Sequence, residues 1–363
     1  MKICQLTSVH PRYDTRIFVK ECISLANAGY DTYLVVADGL GDETKEGVKI
    51  VDTGIKEKSR KKRPFVTGKK ILKKALEIDA DIYHFHDPEL LLIANKIRRK
   101  GKKIIYDVHE DVPKQILTKG YLNPHFSGLI SFVFEKYEKR ISSKLSAVVC
   151  AEPVTRNRFE KINKNTIDVK NFPIIKEFSN QAWEERENNI CYIGAISEVR
   201  GIKVIVKALE KLDTKLLLAG NFQQNIEEIK ALEGWEKVEF YGFVGRKEIA
   251  EILAKSKIGL VLLHPIPKYL DAFPVKMFEY MAAGVPILAS DFDLYKQIVE
   301  SNNCGIIVDP LDVDKIAETI TQMLADDQML KQMSINGQKA VREKYNWANE
   351  EKKLLQLYET LSK

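Results

Sequence analysis

Apolar and polar positions follow two long series along this 363-residue chain. In each series, apolar runs of strand length are separated by stretches whose apolar residues recur at helical spacing. The first series predicts strands at residues 2–7, 32–37, 82–85, 103–106 and 147–150. The second predicts strands at residues 190–193, 215–218, 238–241, 258–263, 286–289 and 305–308. Strands that alternate with helices build doubly wound parallel sheets, so the pattern predicts an α/β protein.

The two series predict two domains. The pattern pauses around residues 169–173, which gives an N-terminal Rossmann-like domain at 1–172 and a C-terminal one at 173–346. Ligands of doubly wound sheets bind beyond the carboxyl ends of the strands. We therefore expect the two domains to face a cleft that holds the active site.

Composition and charge narrow the class of protein. No window approaches the length of apolar sequence that spans a membrane, and the first residues read as a strand instead of a signal peptide, so we expect a cytoplasmic protein. The cysteines lie mostly in apolar patterns typical of buried thiols: Cys4, Cys22, Cys150, Cys191 and Cys304. Between Lys56 and Lys74, ten Lys or Arg residues stand against one Glu, within a formal net charge of +6. This asymmetry favours contact with an anionic surface.

The most informative segment covers residues 271–290. Pro274 suits the first turn of a helix, Val275 follows it, and Gly284 suits the helix end. Free amides at the start of a helix favour an anion such as diphosphate, and Lys276 adds a positive charge there. The segment predicts an anion site that includes Pro274, Val275 and Lys276, although an ordinary amphipathic helix would have a similar pattern.

The same segment resembles a known family. Asp271 and Glu279 are two carboxylates with seven residues between them, and residues 278–287 read FEYMAAGVPI. Both features resemble the acidic pair and the helix of retaining glycosyltransferase family 4, of the polysaccharide-biosynthesis type. The resemblance implies the GT-B fold, with Glu279 on the ribose hydroxyls of the donor and Asp271 on the donor sugar. The first acid of the family is usually Glu, so Asp271 is shorter by one methylene.

Further motifs of the C-terminal half fit the same family. Residues 192–202 resemble the loop that binds the donor diphosphate, with Gly194 at its start, Ala195 where the family has Arg, and Arg200 where it has Lys. Arg binds phosphate with two parallel hydrogen bonds, so this exchange is chemically sound. Residues 238–245 resemble the strand and loop that bind the base through backbone atoms, which points to Phe243 and Val244.

The resemblance also assigns roles in the N-terminal half. His109 matches the residue that approaches the donor sugar, and Asp107 and Glu110 are candidates to orient it. His, Asp and Glu also ligate metals, so a metal site is an open alternative here. Residues 8–16 stand where the family often has a Gly-Gly loop, and Arg12 and Arg16 within them would suit an acceptor phosphate. In GT-B enzymes the last helix, here 347–363, completes the N-terminal domain.

These observations predict a retaining, metal-independent hexosyltransferase without a cofactor. It would transfer sugar from a nucleoside-diphosphate sugar, with UDP favoured over GDP, to a hydroxyl acceptor. The expected acceptor is a lipid-linked glycan intermediate of cell-surface polysaccharide synthesis. The basic run and the apolar stretch 126–134 favour peripheral docking on the inner membrane face. A nucleotide-sugar epimerase of the same architecture is the main alternative. A nucleic-acid-binding protein is a weaker alternative, because the chain has no recognisable nucleic-acid-binding module. An NAD-dependent dehydrogenase would need a Gly-x-Gly-x-x-Gly run after a strand, and the chain has none.

Overall fold

Two separate sheets organise the chain. The computed structural model describes residues 1–118, 124–178, 182–223 and 225–363. The chain divides into two units, Met1–Asn171 with Ala348–Lys363, and Phe172–Trp347. Within the described ranges, no helix is long and apolar enough to span a membrane.

Unit 1 is built on an eight-stranded sheet of order β3-β4-β2-β1-β5-β6-β7-β8, parallel except for β3 against β4. Its strands are β1 Lys2–Leu6, β2 Asp31–Val36, β3 Glu43–Lys45, β4 Val48–Asp52, β5 Ile82–Phe85, β6 Lys103–Val108, β7 Ala147–Cys150 and β8 Thr166–Asp168. After a π-helical segment at Thr15–Cys22, its helices are α1 Ile23–Asn27, α2 Arg63–Ile78, α3 Leu91–Arg98, α4 Val112–Thr118, α5 Pro124–Ser142 and α6 Pro153–Phe159. Central strands such as β5 are wholly buried because helices cover both faces of a parallel sheet.

Unit 2 is built on a six-stranded parallel sheet of order β11-β10-β9-β12-β13-β14. Its strands are β9 Asn189–Ile193, β10 Leu216–Ala219, β11 Val238–Gly242, β12 Ser256–Val261, β13 Ile287–Ser290 and β14 Gly305–Val308. Its helices are α7 Ile202–Leu209, α8 Glu227–Lys230, α9 Arg246–Ala254, α10 Pro267–Leu270, α11 Val275–Ala282, α12 Asp293–Ser301, α13 Val313–Ala325 and α14 Asp327–Glu343. Short 3-10 turns lie at Pro88–Leu90, Ile175–Glu177, Trp183–Glu185, Glu198–Arg200 and Glu233–Lys237.

The last helix, α15 Trp347–Ser362, packs its C-terminal part on unit 1. The buried Tyr358 hydroxyl accepts a hydrogen bond from Gln5 Nε2 at 3.2 Å and lies 2.9 Å from His84 Nδ1. These contacts tie the end of the chain to β1 and β5. Polar groups buried together in this way must satisfy one another, which fixes how the helix sits.

All of the strands predicted from the apolar pattern form, with bounds that shift by up to two residues. Three strands were not predicted, namely β3, β4 and β8. Each is short or carries charged residues, and β3 and β8 lie at the edges of the sheet. An edge strand can face water, so its sequence lacks the continuous apolar run that marks a central parallel strand.

Both sheets reverse their strand order next to a central strand. In unit 1, β1 lies between β2 and β5, and in unit 2, β9 lies between β10 and β12. Open α/β sheets bind ligands beyond the carboxyl ends of their strands at such a switch point. The carboxyl ends of β1 and β9 are therefore where each unit is expected to carry its site.

Candidate functional site

Glycine loops surround the carboxyl end of β9 in unit 2. Gly194 follows β9 with a φ of 114°, and Gly220 follows β10 with a φ of 145°. A Cβ atom on Gly220 would lie 1.7 Å from the carbonyl oxygen of Gly194, so only glycine fits there. The Gly220 amide donates to the carbonyl of Gly242, which ends β11, at 2.7 Å. The strand ends thus meet backbone to backbone, and Gly194 remains exposed at the edge of the sheet.

Lys276 places a buried ammonium beneath this glycine edge. Its Nζ lies 3.3 Å from the centroid of the Tyr192 ring and has no hydrogen-bond partner among the described residues. A Cβ atom on Gly194 would lie 3.8 Å from the same Nζ. Burial, followed by the charge of Arg200, lowers the pKa of Lys276 well below its ordinary value. The aromatic face offsets part of the cost of burying a cation, yet an anion at this point would be a better partner.

Arg200 adds a second cationic group near the same edge. It ends the turn Glu198–Arg200, and Gly201 follows with a φ of 86°. A Cβ atom on Gly201 would lie 2.1 Å from the carbonyl oxygen of Leu262, just beyond β12, so this turn also requires glycine. The Arg200 Nε is buried and has no hydrogen-bond partner within the described part of the chain. Its guanidinium carbon lies 5.5 Å from the centroid of the Tyr269 ring.

His264, also beyond β12, was not singled out in the sequence. Its amide donates to the carbonyl of Val199 at 3.0 Å, which joins it to the turn that carries Arg200. Its Nε2 is buried without a partner among the residues described here. Burial lowers the pKa of His264, against the opposing charge of Glu198. Lone histidines carry no sequence signal of their own, and only the neighbouring turn makes this one relevant.

Glu279 lies one turn further along α11 and is paired with a cation. Arg246, the first residue of α9, donates from Nη1 to Glu279 Oε1 at 2.6 Å. The same guanidinium donates from Nε to Glu177 Oε2 at 2.9 Å and lies 5.4 Å from the centroid of the Phe178 ring. The pKa of Arg246 is raised, because the charges of Glu279 and Glu177 outweigh the lowering effect of burial. Sequence reasoning missed Arg246, since it belongs to no motif.

The remaining predicted residues of unit 2 surround the same edge. Pro274 is the residue just before α11 instead of part of its first turn, which corrects the prediction by one position, and Val275 begins the helix. With an extended ψ of 113°, Pro274 still accepts a hydrogen bond from the Met277 amide at 2.9 Å. Asp271 is exposed after α10, and Phe243 is 79% exposed between β11 and α9 beside the half-buried Val244.

In unit 1, a buried carboxylate organises the carboxyl ends of β5 and β6. Asp107 accepts hydrogen bonds from Arg16 through both of its oxygens, at 2.8 and 2.9 Å. His109 Nε2 lies 2.9 Å and His86 Nδ1 3.2 Å from Asp107 Oδ2. Burial alone would raise the pKa of Asp107, but the charge of Arg16 and the two imidazoles hold it well below its ordinary value. An ionised Asp107 therefore fixes the ring of His109, whose side chain is 20% exposed.

Behind this group, four buried side chains have ligand atoms within 4.8 Å of one another, namely Glu21, His84, His86 and Asp107. This is the type of cluster that the metal alternative requires. Arg16 already supplies a positive charge there, with its Nε 3.1 Å from Glu21 Oε1 as well as 2.8 Å from Asp107. Burial lowers the pKa of His86 to about 4, so the imidazole is neutral near pH 7. Burial, followed by the charge of Asp107, raises the pKa of Glu21 well above its ordinary value. A protonated Glu21 leaves Arg16 to balance the ionised Asp107, so the cluster is interpreted as a charge-balanced support for His109.

The two arginines proposed for an acceptor phosphate have other roles in the fold. Arg12 is buried and pairs with Asp38 at 2.6 Å and with Glu43 at 2.8 Å. Arg16 is buried on Asp107. Guanidinium groups that already hold carboxylates are not available to a ligand, so this expectation was wrong. The loop instead presents His10, whose ring lies 5.2 Å from that of His109.

Two sequence families match this chain. The family described as Glycosyltransferase Family 4 matches residues 18–169, and the one described as Glycosyl transferases group 1 matches residues 174–340. This chain is a glycosyltransferase of the family 4 type.

Individual relatives agree with the family. An uncharacterised glycosyltransferase of Methanocaldococcus jannaschii is 27% identical over 237 residues, 60% of this glycosyltransferase and 58% of the relative. A phosphatidyl-myo-inositol mannosyltransferase of Mycolicibacterium smegmatis is 22% identical over 311 residues, 82% of this chain and 75% of the relative. The match thus spans little more than half of the length of the first relative.

Solved structures agree with the fold. Anabaena HepE, crystallised in complex with UDP and glucose, has a TM-score of 0.74 to this glycosyltransferase at 15% identity, and the match covers 100% of this chain and 99% of that one. The fold is GT-B, as the resemblance implied. Four residues predicted for the donor lie around the carboxyl edge of the unit 2 sheet: Gly194, Arg200, Lys276 and Glu279. His109 lies at the carboxyl edge of the unit 1 sheet.

Proposed function

We propose that this glycosyltransferase moves a hexose from a nucleoside-diphosphate sugar to a hydroxyl acceptor, with retention of configuration. The observation that carries the proposal is the unpartnered Lys276 ammonium beneath the exposed Gly194, with the Arg200 Nε also unpartnered among the described residues. Buried cationic groups without anions are costly, and they cluster where a ligand supplies the charge. A diphosphate at the carboxyl end of β9 would supply it.

The chemistry follows from the leaving group. As the bond between the sugar C1 and the phosphate oxygen breaks, negative charge develops on the diphosphate. Lys276, Arg200 and the amides at the start of α11 would stabilise that charge from fixed positions. The acceptor oxygen then attacks C1 from the face that the diphosphate leaves, and its proton passes to the departing phosphate oxygen. We propose that these groups do the work of a divalent ion, so that no metal is needed.

The other candidates complete the donor site in this proposal. Glu279 would accept hydrogen bonds from the ribose hydroxyls, Asp271 would contact the sugar, and the backbone at Phe243 and Val244 would contact the base. His109, held by the ionised Asp107, would be a contact for the donor sugar. UDP is favoured because HepE was crystallised with UDP.

A nucleotide panel tests the donor site directly. Thermal unfolding is measured with UDP, GDP, ADP and CDP, and a ligand that binds only the folded state raises the transition temperature. We expect UDP to give the largest shift. No shift with any nucleoside diphosphate would contradict the proposal. The anomeric configuration of the product, read by NMR, tests retention. Conversion of the donor into an epimeric nucleotide sugar without any acceptor would favour an epimerase.

We propose that the acceptor is lipid-linked and that unit 1 docks on an anionic bilayer. The relative from M. smegmatis is by name a mannosyltransferase of a phospholipid. Helix α5 exposes an apolar row with exposures of 42–61%: Phe126, Leu129, Ile130, Phe132 and Val133. Large exposed apolar patches mark interaction sites. Helix α3 packs against both α5 and the basic helix α2, so both helices belong to the same part of unit 1.

Helix α2 adds the charge that such docking needs. It exposes Phe65 and Val66 among lysines that face solvent. Arg63, by contrast, is paired with Glu89 at 2.8 Å and is not available to lipid. Each basic residue near an anionic surface contributes about 1 kcal/mol before screening. The charge and the apolar row together would hold the protein reversibly at the interface.

Sedimentation with liposomes of phosphatidylcholine, with and without phosphatidylglycerol, tests the docking. Binding to the anionic vesicles is expected to fall as salt rises, and to fall again when exposed lysines are changed to Gln at Lys61, Lys62, Lys69, Lys70 and Lys73. The pair Leu129→Ser and Phe132→Ser is expected to weaken binding, whereas Leu311→Ser, an equally exposed apolar residue of unit 2, serves as the control. Equal binding to both vesicles, or to neither, would favour a soluble acceptor.

A further inference from the structure

Arg246 connects three parts of unit 2. It is the first residue of α9, directly after the Gly242–Gly245 turn that holds the proposed base contacts. Its Nη1 donates to Glu279 Oε1 at 2.6 Å, and its Nε donates to Glu177 Oε2 at 2.9 Å. Its guanidinium plane also lies near the Phe178 ring. A guanidinium held at this many points has little freedom, so it defines where the carboxylate of Glu279 sits.

The position of Glu279 needs defining because a competing cation lies on the same helix. Lys276 precedes Glu279 by three residues on α11, a spacing at which side chains are neighbours. The Lys276 ammonium is buried and unpartnered among the described residues. A carboxylate freed from Arg246 would gain by turning toward that ammonium. It would then leave the ribose position.

We infer that Arg246 is the positioning residue that directs Glu279 toward the ribose of the donor. The inference rests on the proposed ribose contact of Glu279. Within the described residues, the hydrogen bond from Arg246 is the one that the Glu279 carboxylate accepts, and it takes Oε1. The second oxygen is left for the vicinal hydroxyl groups of a ribose. Glu177 and Phe178 hold the guanidinium from the other side, so Arg246 can serve Glu279 without being held by it alone.

The test compares the binding of UDP with that of 2′,3′-dideoxy-UDP by isothermal titration calorimetry. The ratio of the two dissociation constants reports the ribose contact and needs neither acceptor nor catalysis. The variants are Arg246→Gln, Arg246→Lys and Glu279→Ala. The thermal unfolding of each variant is first compared with that of wild type, to show that it folds. Arg342→Gln is the matched control, because Arg342 is an exposed arginine of the same unit, on α14. If UDP does not bind, the binding of GDP is compared with that of 2′,3′-dideoxy-GDP.

Wild-type protein is expected to prefer UDP by roughly 10- to 100-fold, the value for one hydrogen bond to a charged group. Glu279→Ala should bring the ratio close to one. Arg246→Gln should lower UDP affinity by about tenfold and lower the ratio to about the same extent, with little change for dideoxy-UDP. Arg246→Lys keeps the charge without the fork geometry, so its ratio of dissociation constants should lie between those of wild type and Arg246→Gln. Arg342→Gln should match wild type.

Each outcome decides a different point. If Glu279→Ala loses the preference while both Arg246 variants keep it, the inference is overturned and the proposed function stands. The inference is overturned in the same way if Arg246→Gln weakens both nucleotides equally, because that result indicates a general effect of charge or packing. If Glu279→Ala keeps the preference, the ribose assignment itself is wrong. If wild-type protein binds neither UDP nor GDP, the proposed function and the inference both fail.

Discussion

Replacing Lys276 by Met is expected to stabilise the ligand-free protein and to weaken nucleotide binding. Lys276 is 7% exposed, and its Nζ has the Tyr192 ring but no hydrogen-bond partner among the described residues. Met has nearly the same length and no charge. The substitution therefore removes a desolvated cation without opening a cavity. The same cation is the group proposed to hold the diphosphate, so stability and affinity should change in opposite directions.

The magnitude can be worked from the surroundings of Lys276. Replacing buried ionic groups by apolar ones of similar volume stabilises proteins by about 1–4 kcal/mol. The Tyr192 contact returns up to about 2 kcal/mol to the wild-type protein. The middle of each range gives a net gain of about 1–2 kcal/mol. This corresponds to about 2–8 °C in the transition temperature of a unit of this size. Loss of a charged hydrogen bond to phosphate should weaken UDP binding by roughly 10- to 100-fold.

The sign of the pH dependence follows from the direction of the pKa shift. Burial lowers the pKa of Lys276 in the folded protein, whereas the unfolded chain has an ordinary value of about 10.4. The unfolded state therefore holds this proton more tightly. The cost to folding is absent above pH of about 10.4 and is fully present below the folded pKa. The stability gained by Lys276→Met should therefore shrink as pH rises toward 10.

The assay is urea denaturation of wild type and variant, with and without UDP. At 100 times its dissociation constant, UDP stabilises wild type by about 2.7 kcal/mol, and a 100-fold weaker variant would gain only about 0.4 kcal/mol. Lys339→Met, on an exposed site of α14, is the control and should change neither quantity appreciably. The reasoning is refuted if Lys276→Met is less stable than wild type without ligand, or if it binds UDP with wild-type affinity.

Four further predictions concern the reaction and the support of His109. Glu279→Ala should raise the KM for the donor and lower turnover without loss of folding, and wild-type donor affinity would contradict its role; Asp271→Ala should reduce kcat more than donor binding. Activity after treatment with EDTA should be largely unchanged, and a complete loss that only manganese or magnesium restores would refute the metal-free mechanism. The folded pKa of His86 is about 4 because of burial, below its ordinary value of 6.5, so its contribution to stability is present above pH 6.5 and is lost as pH falls through 4. His86→Gln should flatten the acid dependence of the free energy of unfolding over that range, and an unchanged slope would show that the titration lies elsewhere.

The sequence alone predicted the features that depend on local pattern. Central parallel strands such as β5 and β7 were predicted with their observed bounds, because both faces of such a strand are buried and its apolar run is continuous. Gly284 was predicted to end α11, and it does so with a φ of 68°, a conformation that favours glycine. The acidic pair Asp271 and Glu279, together with the sequence of α11, was sufficient to identify the family.

The tertiary structure alone decided which charges are already satisfied. Arg12, Arg16 and Lys276 look alike in a sequence, yet Arg12 and Arg16 are buried in carboxylate pairs while Lys276 is buried without a hydrogen-bond partner among the described residues. Glu279 was readable from its motif, but its partner Arg246 is 33 residues away on another helix. A residue type and its spacing determine backbone structure over one or two turns. Whether a buried charge is paired depends on side chains that folding brings together from distant segments, and it is this pairing that separates structural charges from those left for a ligand.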